Sequence, residues 1–297
     1  MKQLNHGMTL DNVVFPIKKR MTKTCLATLV AVGMAVLSVG CSQNQTVISQ
    51  TVTSSDPSRW SKDPKEIARS RTAIAAQFIR DYKLDDAKRQ LEQALKSDPR
   101  SPQAHDMMGV LLQQEGSALN LQKAEAYFKK AIELDPNFTQ AHNNYGVYLS
   151  QVKRYPEAIA QFEIAGSTLG YEGRADALEN LGRTYLQVNN TAKAKEAFSK
   201  ALDTNRYSVI ARSEMIEIFI KEGQTLNAKK LHGDLMTILG DKYLDPRTLQ
   251  QGARLAKLTG SNSELQKFSQ QLFDKFPTSP EAKQLKQWLR TPNAVWK

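Results

Sequence analysis

One spacing recurs along the chain and constrains its fold more than any other feature. An alanine is followed four places on by a large residue and three places later by a second small one. In two copies a proline follows five places further. The first copy is Ala87, Leu91, Ala94, Pro99 and the second is Ala124, Phe128, Ala131, Pro136. The third is Ala158, Phe162, Ala165, the fourth Ala194, Phe198, Ala201, and a weaker fifth is Ala228, His232, Leu235. Their first residues stand 37, 34, 36 and 34 apart. Steps of four and three keep all three residues on one helix face. Upstream of each copy lies a second helical signature: Ile74-Ala75 before Phe78, Met108-Gly109 before Leu112, Tyr145-Gly146 before Leu149, Leu181-Gly182 before Tyr185, and Met215-Ile216 before Phe219. The logic is steric. Small residues let two backbones approach, and large ones fill the gaps between neighbouring units. A proline stops the second helix because it lacks an N–H and clashes with the preceding turn.

This pattern resembles the tetratricopeptide repeat, a unit of two antiparallel helices with a period of 34. The expected fold is therefore all-α, a superhelix of about six units. The boundaries read 68–101, 102–138, 139–174, 175–208, 209–243 and 246–278. Extra residues fall in the turn of unit 2, from Glu115 to Asn120, and between units 3 and 4, from Gly166 to Gly173. The sixth unit lacks clear small residues in its second helix. An amphipathic stretch from Ser279 to Arg290 reads as a cap over the last apolar face. The whole array spans 65–290, with a tail at 291–297.

The rest of the composition fits a folded body behind a leader. Of 297 residues, 40% are hydrophobic and 24% charged, with only 15 Gly and 11 Pro, which excludes collagen-like and low-complexity chains. The formal charge is +11, of which Lys2, Lys18, Lys19, Arg20 and Lys23 against Asp11 contribute +4, leaving +7 for the remainder. That excess is too small to argue for nucleic acid from charge alone. Both cysteines, Cys25 and Cys41, lie in the leader region and none follows, so the body has neither a disulfide scaffold nor a cysteine metal site.

Residues 1–40 read as a secretory signal. A basic segment, Lys18 to Lys23, precedes the apolar run Cys25 to Cys41, and Met21 would start a complete signal by itself. The end of the run, Leu37-Ser38-Val39-Gly40-Cys41, resembles the lipobox of bacterial lipoproteins, with Leu37 one place further from the cysteine than usual. The resemblance implies cleavage before Cys41 and a diacylglycerol on its thiol, with acyl chains such as palmitate. Ser42 at the second mature position implies the outer membrane. One acyl chain binds reversibly and several together hold firmly. Residues 41–64 then form the lipidated cysteine and a tether rich in Ser, Thr and Gln. Its 19 residues from 42 to 60 span about 24 Å r.m.s. as a coil and at most ~65 Å.

No catalytic constellation emerges: there is no Ser-His-Asp order, no Gly-rich phosphate loop and no metal-ligand spacing. His6 lies in the leader. His105 and His142 occupy equivalent places in the first helices of units 2 and 3 and read as packed side chains. The element Asp81 to Asp86 reads as a helix–helix turn with N-cap residues for the second helix. The basic runs Lys193 to Lys195 and Lys229-Lys230 read as solvated outer faces, without the interleaved aromatics of nucleic-acid binding. No cofactor is expected beyond the lipid on Cys41.

Stacked helix pairs expose a concave face lined by the first helices. Unit 2 offers it Gln103, Asp106, Val110, Gln113 and Gln114, and unit 3 Gln140, Asn143, Asn144, Val147, Ser150 and Gln151. Unit 4 offers Asp176, Glu179, Asn180, Arg183 and Gln187, and unit 5 Ile210, Ser213, Glu217 and Ile220. Such a groove, rich in amides, suits an extended segment or helix of another protein. Asn144 and Asn180 share one repeat position. They read either as a ladder gripping a peptide backbone or as ordinary repeat residues.

The order of lipobox, tether and about six repeats resembles the PilF/PilW family of type IV pilus lipoproteins, the pilotins. Asn143 to Tyr155 and Leu178 to Gly182, followed by Asn190 to Phe198, carry the likeness, together with Arg254 to Lys257. The resemblance implies a monomeric, non-enzymatic protein at the periplasmic face of the outer membrane. It would bind subunits of the pilus secretin (PilQ in that family) and promote their localisation and multimerisation, supporting twitching motility. Repeat lipoproteins also serve outer-membrane β-barrel assembly or recruit peptidoglycan enzymes.

Overall fold

The computed structural model describes residues 63–242, 244–291 and Trp296. The signal, Cys41 and the tether as far as 62 lie outside these residues. The described chain is helical throughout: α1 (Pro64–Arg80), α2 (Leu84–Ser97), α3 (Pro102–Glu115), α4 (Ala118–Leu134), α5 (Thr139–Gln151), α6 (Tyr155–Ser167) and α7 (Arg174–Gln187). Then follow α8 (Thr191–Thr204), α9 (Val209–Lys221), α10 (Thr225–Leu239), α11 (Pro246–Leu258), α12 (Asn262–Lys275) and α13 (Pro280–Arg290). Among the described residues no helix is long and apolar enough to cross a membrane.

Successive helices pair as the repeat requires, α1 with α2 through α11 with α12. The first helices of the pairs also pack on one another in order, α1, α3, α5, α7, α9, α11 and then α13, whereas the backbones of the second helices stand apart, α10 and α12 meeting through side chains, His232 against Phe268 and Lys229 to Glu264 at 3.1 Å. A stack joined along one side curves towards that side. The first helices therefore line the concave face of a tetratricopeptide superhelix.

The small-and-large pattern is the packing itself. A methyl group added to Gly109 would lie 2.7 Å from the Phe128 ring, one on Gly146 2.7 Å from Phe162, and one on Gly182 2.6 Å from Phe198. Real side chains cannot approach so closely, so glycine is what allows the two helices to meet around a phenylalanine. The sixth unit repeats the device: a methyl group added to Gly252 would lie 2.9 Å from both the His232 and the Phe268 rings. Its regular element is thus the first helix, although its second helix lacks the alanines.

Helix ends are equally repetitive. Units 1, 3, 4, 5 and 6 close their first helix with a left-handed residue, Tyr82, Lys153, Asn189, Gly223 and Gly260. The next N–H bonds back to a carbonyl five residues earlier, as Lys83 does to Phe78 at 2.8 Å and Arg154 to Leu149 at 2.8 Å. This is a Schellman closure, and it satisfies carbonyls that the helix end would leave bare. In unit 2 the extra residues replace it with Gly116, and Ser117 caps α4.

Two expectations need correction. The Asp81 to Asp86 element is indeed the turn between α1 and α2, but no aspartate caps α2. Lys83 holds the N-cap position without a side-chain bond, and Asp85 and Asp86 lie in the first turn, where the helix dipole favours their charge. The stretch after α13 is not simply a tail. Trp296 is buried, stacks on Trp288 at 5.7 Å and lies under the Lys257 ammonium. Its apolar ring completes the cover that α13 begins.

Candidate protein-binding groove

The first helices place the expected groove residues, but not all of them at the surface. Gln103, Val110, Gln140, Asn144, Val147, Asn180, Arg183 and Glu217 are half-buried, while Gln151 and Asp176 are exposed. Asp106, Asn143 and Glu179 are buried, which corrects their assignment to an open lining. All three occupy the place three residues before the helix-contact glycine. There the side chain turns towards the neighbouring unit and loses its water.

Polar side chains along this face bond from unit to unit. Asn144 donates to Asp106 Oδ2 at 2.9 Å and accepts from Gln140 at 2.9 Å. Asn180 donates to Asn143 at 3.5 Å, Gln113 to Gln151 at 2.7 Å, and Ser150 meets Thr184 at 3.2 Å. Asn144 and Asn180 thus each bond to a side chain of the preceding repeat. Towards the far end the bonds become ionic. Glu214 receives both Arg247 amino groups at 2.9 and 3.0 Å, and Glu217 receives Arg254 at 2.6 Å and Gln251 at 2.9 Å. Arg254 is only 3% exposed, so this pair lies in the interior of the stack.

The centre of the groove has carboxyls without such partners. Asp106 is 1% exposed, and its second oxygen, Oδ1, has no hydrogen-bond partner. Burial pushes its carboxyl up to about 7, against the lowering effect of the Asn144 bond. Burial likewise raises Asp176 and Glu179, the latter partly relieved by the Ser208 hydroxyl at 2.5 Å. Tyr171 comes from the extra residues between units 3 and 4. It reaches into the groove to donate to Gln140 at 2.9 Å, and burial together with the nearby Asp106 and Asp176 holds its hydroxyl firmly protonated. It was missed in the sequence because an insertion has no place in the repeat register. An aromatic bracketed by Gly170 and Gly173 was the available signal.

Asp106 makes stability depend on pH. Its folded value of about 7 exceeds the ordinary 3.8. Between these values the folded chain holds a proton that the unfolded chain has released. Stability from this group is complete below the unfolded value and is lost as pH rises through the folded one. Urea unfolding should show a loss of about 2 kcal/mol between pH 5 and 7, and Asp106→Asn should flatten it. A wild-type profile no steeper than that of the variant contradicts the assignment.

The histidines pack as expected, with a specific task. His105 Nε2 reaches the Pro99 carbonyl at 2.9 Å, and His142 Nε2 reaches that of Pro136 at 2.9 Å. Each ties its helix to the end of the preceding unit. His232 makes a 2.9 Å contact with the Thr248 carbonyl and meets Phe268 edge-on. Among the described residues, no three His, Cys, Asp or Glu side chains are grouped to hold a metal. Lys195 and Lys229, on the outer side, bridge successive pairs through Glu222 at 2.8 Å and Glu264 at 3.1 Å.

Comparison with known proteins agrees with this architecture. Family models described as tetratricopeptide repeat match residues 103–138, 127–160 and 175–207. The type IV pilus assembly protein PilF of Pseudomonas aeruginosa is 30% identical over 261 residues, covering 87% of this chain and 96% of that protein. The chain belongs to the PilF family. The solved Pseudomonas aeruginosa PilF structure superposes with a TM-score of 0.69 at 30% identity, covering 76% of this chain and all of that one. The structure of PilW, described as a widely conserved type IV pilus biogenesis factor, shares the fold, with a TM-score of 0.65 at 23% identity over 74% of this chain and 98% of its own. The PilF likeness extends well past the segments that the repeat models match, so repeat consensus alone does not account for it.

Proposed function

We propose that this chain is a pilotin of type IV pilus assembly. It would be a lipoprotein of the outer membrane that holds secretin subunits in its concave face and promotes their localisation and multimerisation for twitching motility. The observation that carries the reading is the 30% identity to a type IV pilus assembly protein across 96% of that protein's length. The groove supports it by offering amide and ionic side chains to a polypeptide. In this mechanism no bond is made or broken. The lipid on Cys41 supplies location, and confinement to the membrane raises the effective concentration of the partner without a new contact.

Cys41→Ser is the direct test. The variant should keep the wild-type helical spectrum, while heat-resistant secretin multimers disappear from isolated outer membranes. Normal multimers at normal location would remove the anchor from the mechanism. Deleting the gene separates this reading from a role in β-barrel assembly or peptidoglycan enzyme recruitment: a pilotin's loss removes secretin multimers and leaves porins and cell shape unchanged.

A further inference from the structure

The centre of the groove combines three features. Asp106 is buried with one oxygen lacking any partner. Tyr171 leans over the groove within electrostatic reach of both Asp106 and Asp176. Asp176 itself is exposed on α7. The surroundings supply little to balance this charge. Helix α5, between them, contains no Asp, Glu, Lys or Arg. Of the charged groups on the elements packed around α3, Arg71 bonds to Gln90 and Gln93, Arg80 to Gln77, Arg89 to Asp86, and Glu125 to Lys129 and Arg154. On α7, Arg183 leans towards Glu214 at 3.9 Å. Burial and the Asn144 bond are the influences that set the acidity of Asp106.

We propose that the groove between units 2 and 4 receives an arginine or lysine side chain of the bound segment, held against Asp176 and Tyr171 over the buried carboxyl of Asp106. This deepens the reading above, since it names the chemistry of the segment that the concave face recognises. The tyrosine ring offers a cation its π-face, and the carboxyls offer charge in a site where water screens weakly. The amides Gln140 and Asn144 keep the ring and Asp106 in place. A cation here favours the ionised form of Asp106, so binding releases a proton and tightens as pH rises through neutrality.

The test uses the full chain in detergent and acetyl-triarginine amide, whose charge is constant between pH 5.5 and 8, with acetyl-triglutamate amide as control. Binding is followed by the NMR signals of the Tyr171 ring and the aspartate carboxyls. Triarginine should move the Tyr171 signals and triglutamate should not. The dissociation constant at pH 8 should be at least fivefold lower than at pH 5.5. Asp176→Asn, at an exposed position, should weaken binding at least threefold at pH 8, and Asp106→Asn should reduce the pH effect to less than twofold. Equal response to both peptides, a flat wild-type pH profile or undiminished binding by Asp176→Asn overturns the proposal. The titration contains no secretin, so failed secretin capture leaves it standing. A silent titration beside normal secretin capture defeats the cation receptor alone.

Discussion

Phe162→Ala should lower the free energy of unfolding by about 3–5 kcal/mol, the range for deleting a fully buried aromatic ring. Phe162 is 1% exposed and fills the space between α5 and α6 that Gly146 opens. Alanine leaves a void that the backbones cannot close, because Ala158 and Ala165 on either side are themselves fully buried. The companion experiment reverses the fault. Gly146→Ala places a methyl group 2.7 Å from the ring and should cost about 1–3 kcal/mol by overpacking. In a Phe162→Leu background the same change should cost less, because the ring it meets is gone. Urea unfolding of the four chains completes a double-mutant cycle. Additive losses would mean that glycine and phenylalanine are not complementary halves of one contact.

Glu217→Ala should cost a similar amount, about 3–5 kcal/mol, because it strands a buried cation. Arg254 is 3% exposed, receives its charge balance from Glu217 at 2.6 Å, and holds the Trp296 carbonyl at 3.3 Å beside the Trp288 ring. Gln251 loses its acceptor on Glu217 at the same time. Arg254→Met should cost less, since Glu217 is 17% exposed in its side chain and retains access to water. The emission of Trp288 and Trp296 reports the damage locally, and calorimetry reports it globally. Equal losses for the two variants would show that burial of the guanidinium is not what makes this pair matter.

The fold was legible because its signals are steric and repeated. The Ala-x₃-Phe-x₂-Ala spacing and the preceding glycines at 109, 146 and 182 describe the helix contact itself, and the structure returns the same pairs. Gly252 was overlooked because its phenylalanine at 268 lacks flanking alanines. The groove was harder to read. Position in the repeat says which helix face a residue occupies, but not whether its neighbour covers it. Asp106, Asn143 and Glu179 share one register position, and each is covered by the adjoining unit. Tyr171 belongs to an insertion outside the register, and the role of Trp296 depends on contacts with Trp288 and Arg254 that no local pattern announces.

The inner helices form a continuous wall, while the outer ones stand apart like the ribs of a fan. Up to α10, spreading or closing those ribs parts no outer backbone contact, whereas α10 and α12 are tied by His232 on Phe268 and by Lys229 to Glu264, so the softer flexing lies in the earlier units. A guest thicker or thinner than the resting channel can be accommodated by a small change of curvature distributed over the untied hinges.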